Sequence, residues 1–240
     1  MIDFNCDVGE GIANEHLLMP HITSCNIACG GHFGDENSID KTILLALKNN
    51  VLIGAHPSFP DKENFGRKWM HISDENLSKS IQDQMDLFLK RMSFHNARLH
   101  HIKPHGALYN AIAIDENLAK IFVKSILKYC KNIFLYVPYQ SEIEKVAIEN
   151  NIKIIYEAFA DRNYNDDLTL VNRTHENAII KDKEAVFQHV SKMVFERKVK
   201  TISGKEKDIK AATFCVHSDT ENAVEIVKYV SEKFKNQVSI

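Results

Sequence analysis

His101-Ile102-Lys103-Pro104-His105-Gly106-Ala107-Leu108-Tyr109-Asn110 compresses a strand end, a turn and a helix start. Arg98 to Lys103 alternates as a short strand. His101, Lys103 and His105 share one parity, so they point to one face while the chain stays extended. Pro104 cannot donate a ladder hydrogen bond, and the strand should stop there. Gly106 allows a tight exit, and Ala107 to Ile112 suits a helix start. Two imidazoles and an ammonium at one strand tip are costly to bury without partners. A single such residue would read as a solvated basic turn. Three convergent ones read as a site, because anions and metals need that convergence.

Other strands end in the same manner. Ile2 to Val8 carries Asp3, Asn5 and Asp7 on one face and breaks at Gly9-Glu10-Gly11. Asp and Asn are depleted in strands, so this is either an edge with one wet face or a strand lining a cavity. Ile22 to Ala28 runs into Cys29, Gly30, Gly31 and His32. Glycines let backbone approach a ligand and their N–H groups can cradle an anion, though a plain turn uses them too. Cys29 reads as a small core hydrophobe before it reads as a nucleophile. Val51 to Ala55 is apolar throughout, as in a strand covered on both faces, and is tipped by His56-Pro57. Ile133 to Val137 is stopped by Pro138. Lys153 to Tyr156 leads into Glu157, Asp161 and Arg162, and Ala212 to Val216 into His217-Ser218-Asp219. Arg162 and Arg173 could each grip a carboxylate or phosphate, or make a surface salt bridge. The long stretch Ser58 to Met70 suits a lid or binding loop.

Helical periodicity fills the gaps: Asn37 to Leu47, Asp74 to Met92 capped by Ser73, a helix from Asp115 through Tyr129, and one behind a Ser141/Glu144 capping box to Asn150. Asp182 to Val199 and Thr220 to Phe234 are helical, and Thr201 to Lys210 is a charged loop. Seven strands alternating with helices imply an α/β fold with a largely parallel sheet. No linker or repeat divides the chain, so residues 1–240 are expected to form one domain. The polar residues Asp7, His32, His56, Lys103, His105, Glu157, Arg162, His217 and Asp219 all fall at or just after strand C-termini. In a (β/α) barrel those ends gather around one mouth. A distorted or incomplete barrel fits better than an open sheet, which concentrates its site at one switch point.

The 240 residues are 44% hydrophobic and 26% charged with a net charge of −2, which is ordinary for a soluble globular protein. No basic stripe suggests nucleic acid, and no apolar run is long enough for a membrane span. Ile2 already begins a strand, so no signal peptide is expected. Five scattered cysteines without Cys-x-x-Cys argue against a disulfide framework or a structural zinc site and suit a reducing cytoplasm. Neither Gly-x-Gly-x-x-Gly after the first strand nor a P-loop occurs, so any nucleotide is held in another way.

Asp3-Phe4-Asn5-Cys6-Asp7-Val8-Gly9-Glu10-Gly11, Asn26-Ile27-Ala28-Cys29-Gly30, Gly54-Ala55-His56-Pro57, His101 to Asn110, Glu157 to Arg162 and Cys215-Val216-His217 resemble the LamB/YcsF family, in order and along the whole chain. The resemblance implies a distorted seven-stranded TIM-like (β/α) barrel, similar to glycoside hydrolase and deacetylase barrels. It implies the role of the first, or A, component of an ATP-dependent 5-oxoprolinase, working with subunits B and C to open 5-oxo-L-proline to L-glutamate, with Mg2+ accompanying ATP. Phe33, Ser58, Lys68, Ser218 and Asn165-Asp166-Asp167 depart from the family's usual loop residues.

That chemistry needs cations for the lactam carboxylate and the γ-phosphoryl group, and a base for water. Lys103 and Arg162 are assigned to the anions, and His105 or Asp7 to acid–base work. Asn5 and the Gly30 and Gly31 amides should position substrate. His32, His101, Glu157, His217 and Asp219 are expected to line its site. One rival is a self-sufficient metal-dependent amidohydrolase or deacetylase. Asp7, His56 and His105 have suitable ligand types, and the related barrels bind a metal at this end. A second rival is a non-catalytic lactam- or carbohydrate-binding module. Self-association is left open.

Overall fold

The computed structural model describes residues 2–237. Residues 1 and 238–240, included in the single-domain expectation, lie outside the described residues. Seven parallel strands close into a barrel: β1 (Asp3–Val8), β2 (Ser24–Ala28), β3 (Leu52–His56), β4 (Leu99–Ile102), β5 (Phe134–Pro138), β6 (Lys153–Phe159) and β9 (Thr213–Cys215). Between β6 and β9 lies an antiparallel hairpin, β7 (Lys198–Lys200) and β8 (Glu206–Asp208). The helices are α1 (Glu15–Leu18), α2 (Glu36–Lys48), α3 (Asp74–Phe94), α4 (Gly106–Ile114), α5 (Glu116–Ile126), α6 (Glu142–Glu149), α7 (Lys183–Ser191) and α8 (Ala223–Gln237). The barrel is complete: β9 pairs with both β6 and β1. Its distortion is a register shift between Ile53 and Gly54, opposite the short β4.

Strand alternation decides where the core sits. Phe4, Cys6 and Val8 point outward into the layer between barrel and helices, where Phe4 meets Phe214 and Phe234 at ring separations of 6.2 and 5.8 Å. The stripes Ile39, Ile43 and Ala46 of α2 and Leu77, Ile81, Met85, Phe88 and Met92 of α3 pack onto the same cluster. Asp3, Asn5 and Asp7 take the other parity and face the lumen, so the cavity-lining alternative is the correct one for β1. Caps form as the sequence indicates. Ser73, Asp115 and Ser141 accept the N–H groups of Asn76, Leu118 and Glu144. The Glu144 carboxylate returns to Gln140 instead of to Ser141.

Two boundaries differ from expectation. β6 runs on to Phe159 because Ala158 and Phe159 pair with Phe214 and Cys215. Glu157 therefore lies within the strand, facing the lumen, and not beyond its tip. The helix expected to reach Val199 ends earlier. α7 gives way to a π-helical turn at Lys192–Glu196, Arg197 turns left-handed at φ 55°, and buried Val199 enters β7. Part of the expected loop 201–210 is thus strand β8.

Candidate functional site

The lumen is filled by hydrogen-bonded polar side chains in layers. Lowest, Ser24 Oγ donates to Asp3 Oδ2 at 2.9 Å and Tyr136 OH to the same oxygen at 3.3 Å. The Tyr136 ring stacks on His101 at 3.8 Å. Gly54 makes room for that histidine, since a Cβ there would come within 2.1 Å of His101 Nε2. His101 Nε2 donates to Asn26 Oδ1 at 2.7 Å. Asn26 Nδ2 in turn reaches Asn5 Oδ1 and Asp7 Oδ1, both at 2.8 Å. Asn5 Nδ2 donates to Glu157 Oε1 and Thr213 Oγ1 at 2.9 and 2.7 Å.

Lys103 closes this layer from above. Its Nζ lies 2.9 Å from Asp7 Oδ1, 3.0 Å from Glu157 Oε1, 3.0 Å from Cys215 Sγ and 3.4 Å from Asn5 Oδ1. An ammonium has three donors, so these acceptors saturate it. Burial pulls its pKa down, but Asp7, Cys215 and Glu157 outweigh burial and hold it well above the ordinary lysine value. Burial likewise pushes Asp7 up, and His56 and Lys103 outweigh it, so Asp7 stays ionised. Lys103, expected to grip a substrate anion, has its donors taken by acceptors inside the barrel.

Above Lys103 the mouth is built by histidines. His56 Nδ1 lies 2.7 Å from the Lys103 carbonyl, and His105 Nε2 lies 2.9 Å from the Phe65 carbonyl. Carbonyls only accept, so both nitrogens carry hydrogen. The remaining nitrogens, His56 Nε2 and His105 Nδ1, face each other at 2.9 Å. In neutral rings both present lone pairs to one point. Asp7 Oδ2 lies 3.4 Å from the first and Glu10 Oε1 3.3 Å from the second. Such a constellation calls for a cation, either a proton or a metal ion. Burial, with His32 and His56 nearby, drives the His105 pKa well down, which keeps a proton off His105 itself. His32 stacks on His105 at 3.7 Å, and its Nε2 lies 2.9 Å from Glu10 Oε1. Burial and Asp7 push the Glu10 carboxyl well up.

The opposite wall carries His217, whose Nδ1 lies 2.9 Å from Asp161 Oδ1. Asp161, fully buried, also accepts from the His217 backbone N–H at 3.0 Å and from Thr220 Oγ1 at 2.6 Å. At the rim, Asp219 pairs with Arg67 at 2.5 Å and Arg173 at 3.3 Å.

Asn5, Asp7, His32, His56, His101, Lys103, His105, Glu157, His217 and Asp219 thus converge on the lumen and its mouth. Besides Lys103, three expected residues have other neighbours than expected. The Gly30 N–H donates to the Phe33 carbonyl at 2.8 Å, and Gly31 backs onto Gln84 and Ser58 outside the barrel. Arg162 spends Nε and Nη2 on the Ala178 and Val171 carbonyls at 3.3 and 2.5 Å, bracing the loop that follows β6. Glu10, Asn26, Arg67 and Asp161 belong to the site without having been expected there. Glu10 and Asp161 follow β1 and β6 directly, so the strand-tip pattern itself could have found them.

The family model described as LamB/YcsF matches residues 2–239. The A component of 5-oxoprolinase from Pyrococcus horikoshii is 38% identical over 241 residues, covering 98% of this chain and 94% of that protein. The crystal structure of a lactam utilization protein from Thermus thermophilus superposes with a TM-score of 0.91 at 30% identity, covering 99% of this chain and 97% of that one. A GH113 β-1,4-mannanase shares the fold at a TM-score of 0.52 and 12% identity, covering 96% and 98%.

Proposed function

The chain belongs to the LamB/YcsF family, and from that premise we propose that it is the lactam-opening A component of an ATP-dependent 5-oxoprolinase. Its substrate is 5-oxo-L-proline and its product L-glutamate. ATP, with Mg2+, and subunits B and C complete the reaction. The observation that carries this is the buried, ionised Asp7 beside two imidazoles that turn their inner nitrogens toward each other, at the mouth of a closed barrel. An amide carbonyl is a poor electrophile because of its resonance. Opening it requires activation of the carbonyl, which phosphorylation by ATP supplies, and a site that organises water and proton transfer. Arg67 and Arg173, which share Asp219 at the rim, are the guanidiniums that a substrate carboxylate meets first on entering the mouth. The test is glutamate formation and ATP hydrolysis by the chain mixed with subunits B and C, with and without 5-oxoproline. Turnover that does not need this chain refutes the proposal, and binding without turnover in the full mixture favours a lactam-binding module.

The facing nitrogens of His56 and His105, with Asp7 beside them, favour one further reading, a metal-dependent hydrolase. Two imidazoles and the Asp7 carboxylate are a donor set suited to a zinc-class divalent ion. Asp7, His56 and His105 would hold it, and the ion would supply Lewis acidity toward the amide carbonyl. Metal analysis of the purified chain before and after chelation, with lactam hydrolysis assayed in the absence of ATP, separates the two readings.

A further inference from the structure

By residue type, proton transfer in the proposed reaction falls to His105 or Asp7, and both are drawn into contacts within the mouth itself. His105 donates Nε2–H to Phe65 and turns Nδ1 toward His56. Asp7 Oδ1 takes Lys103 and Asn26, and Oδ2 faces His56. His217 differs. Its Nδ1 is within 2.9 and 3.2 Å of the two oxygens of Asp161. Asp161 is held below its ordinary pKa, His217 and Thr220 outweighing burial, so it is a carboxylate and accepts Nδ1–H. That fixes the tautomer and leaves the lone pair on Nε2. Among the described residues Nε2 has no hydrogen-bond partner. The side chain is 11% exposed at the mouth, so Nε2 is not walled in. The ring stands parallel to Phe159 at 5.3 Å, and one ring nitrogen lies within 4.8 Å of a carboxylate oxygen of Asp7. The backbone is pinned as well: Thr220 N–H returns to the His217 carbonyl at 3.1 Å.

We infer that His217 is the catalytic acid–base group of lactam opening and that Asp161 is its positioning residue. This rests on the reading of the chain as a lactam-opening component. Nε2 accepts a proton from the attacking water as the new C–O bond forms at the carbonyl carbon. It hands the same proton to the ring nitrogen as the C–N bond breaks. With the carbonyl oxygen phosphorylated by ATP, this leaves an acyl phosphate; a second water cleaves it to the carboxylate and inorganic phosphate, and the histidine ends as it began.

The experiment has two arms. Nitrogen-15 NMR of the histidine-labelled chain alone reads the tautomer. The expected signal for His217 is the Nδ1–H form, lost in Asp161→Asn; a dominant Nε2–H form overturns the assignment. The second arm is turnover of 5-oxoproline by the chain with subunits B and C. His217→Ala should lose roughly 100-fold or more in kcat while KM changes little, the scale of general acid–base catalysis. Added imidazole should restore part of the rate. His217→Gln, closer in volume, should show the same loss, which separates chemistry from misfolding. Asp161→Asn should lower kcat more than KM, and Asp161→Glu should recover part of it. An active wild-type complex whose His217 variants keep kcat within about twofold overturns the assignment. If the wild-type complex itself fails on 5-oxoproline, the functional reading has failed, and the tautomer decides the dyad alone.

Discussion

Replacing Lys103 with Met tests whether the ammonium serves the fold or the substrate. Met keeps the unbranched apolar stem and deletes the charge. Lys103 is 1% exposed, and its carboxylate partners Asp7 and Glu157 are 5% and 2% exposed. The variant leaves two buried carboxylates without their cation. Breaking a buried ion pair on one side costs about 3–5 kcal/mol. At roughly 2–4 °C per kcal/mol for a chain of this size, Tm should fall by roughly 6–20 °C. Glu157→Gln removes one of the orphaned charges, so the double variant Lys103→Met/Glu157→Gln should be more stable than Lys103→Met alone. A double-mutant cycle by urea unfolding, followed by circular dichroism, should give a coupling energy in the range of about 0.5–3 kcal/mol. A loss below about 1 kcal/mol, with no coupling to Glu157, would refute the structural role. A stable but inactive Lys103→Met would return the ammonium to the substrate.

Gly54→Ala should destabilise by roughly 2–3 kcal/mol in urea unfolding, by overpacking and a strained buried hydrogen bond. The new methyl would strike His101 Nε2, and the Tyr136 ring stacked behind His101 blocks retreat; an unchanged urea midpoint would show that the ring can move. Acid should destabilise the chain earlier than carboxylate titration alone would. Burial depresses His101 and His105 well below the ordinary imidazole value and takes His32 down to about 2. Below about pH 6.5 the unfolded chain binds protons that the native chain refuses, so stability is full above that value and falls with pH by up to about 1.4 kcal/mol per unit for each histidine. Glu10, pushed up, acts in the opposite sense, its contribution being lost as pH rises through its folded value. Urea midpoints measured between pH 8 and 5 should decline, and a flat profile would mean that these histidines accept protons without unfolding.

Strand tips, helix stripes and caps are readable from the sequence because each rests on local spacing. The alternation of Asp3, Asn5 and Asp7 is visible there too, but only barrel closure turns that face inward. What the local sequence does not carry is how each polar group is spent. Lys103 at a strand tip looks free for a ligand, yet its partners Asp7 and Cys215 stand 96 and 112 residues away in the chain. Arg162 looks like an anion clamp for the same reason, until the folded loop supplies two carbonyls. Glu157 reads as lying beyond its strand because β6 continues only where β9 is there to pair with it. The hairpin of β7 and β8 is hidden by a helical pattern that runs on to Val199.

The division of the lumen into layers accounts for the chemistry at its mouth. TIM barrels commonly fill their interior with branched apolar side chains. Here Asn5, Ser24, Asn26, His101 and Thr213 take that place, each buried and each hydrogen-bonded. A buried polar network is tolerable when its members are satisfied, and then it fixes geometry. This one ends upward in Lys103, which with His56 keeps Asp7 ionised. An ionised Asp7 beside the facing nitrogens of His56 and His105 is the arrangement in which the mouth can take a cation or organise water. Changes in the lower layer should therefore appear first as lost stability. Changes at His217 or Asp161, on the wall and off this network, should appear first as lost turnover on an intact fold.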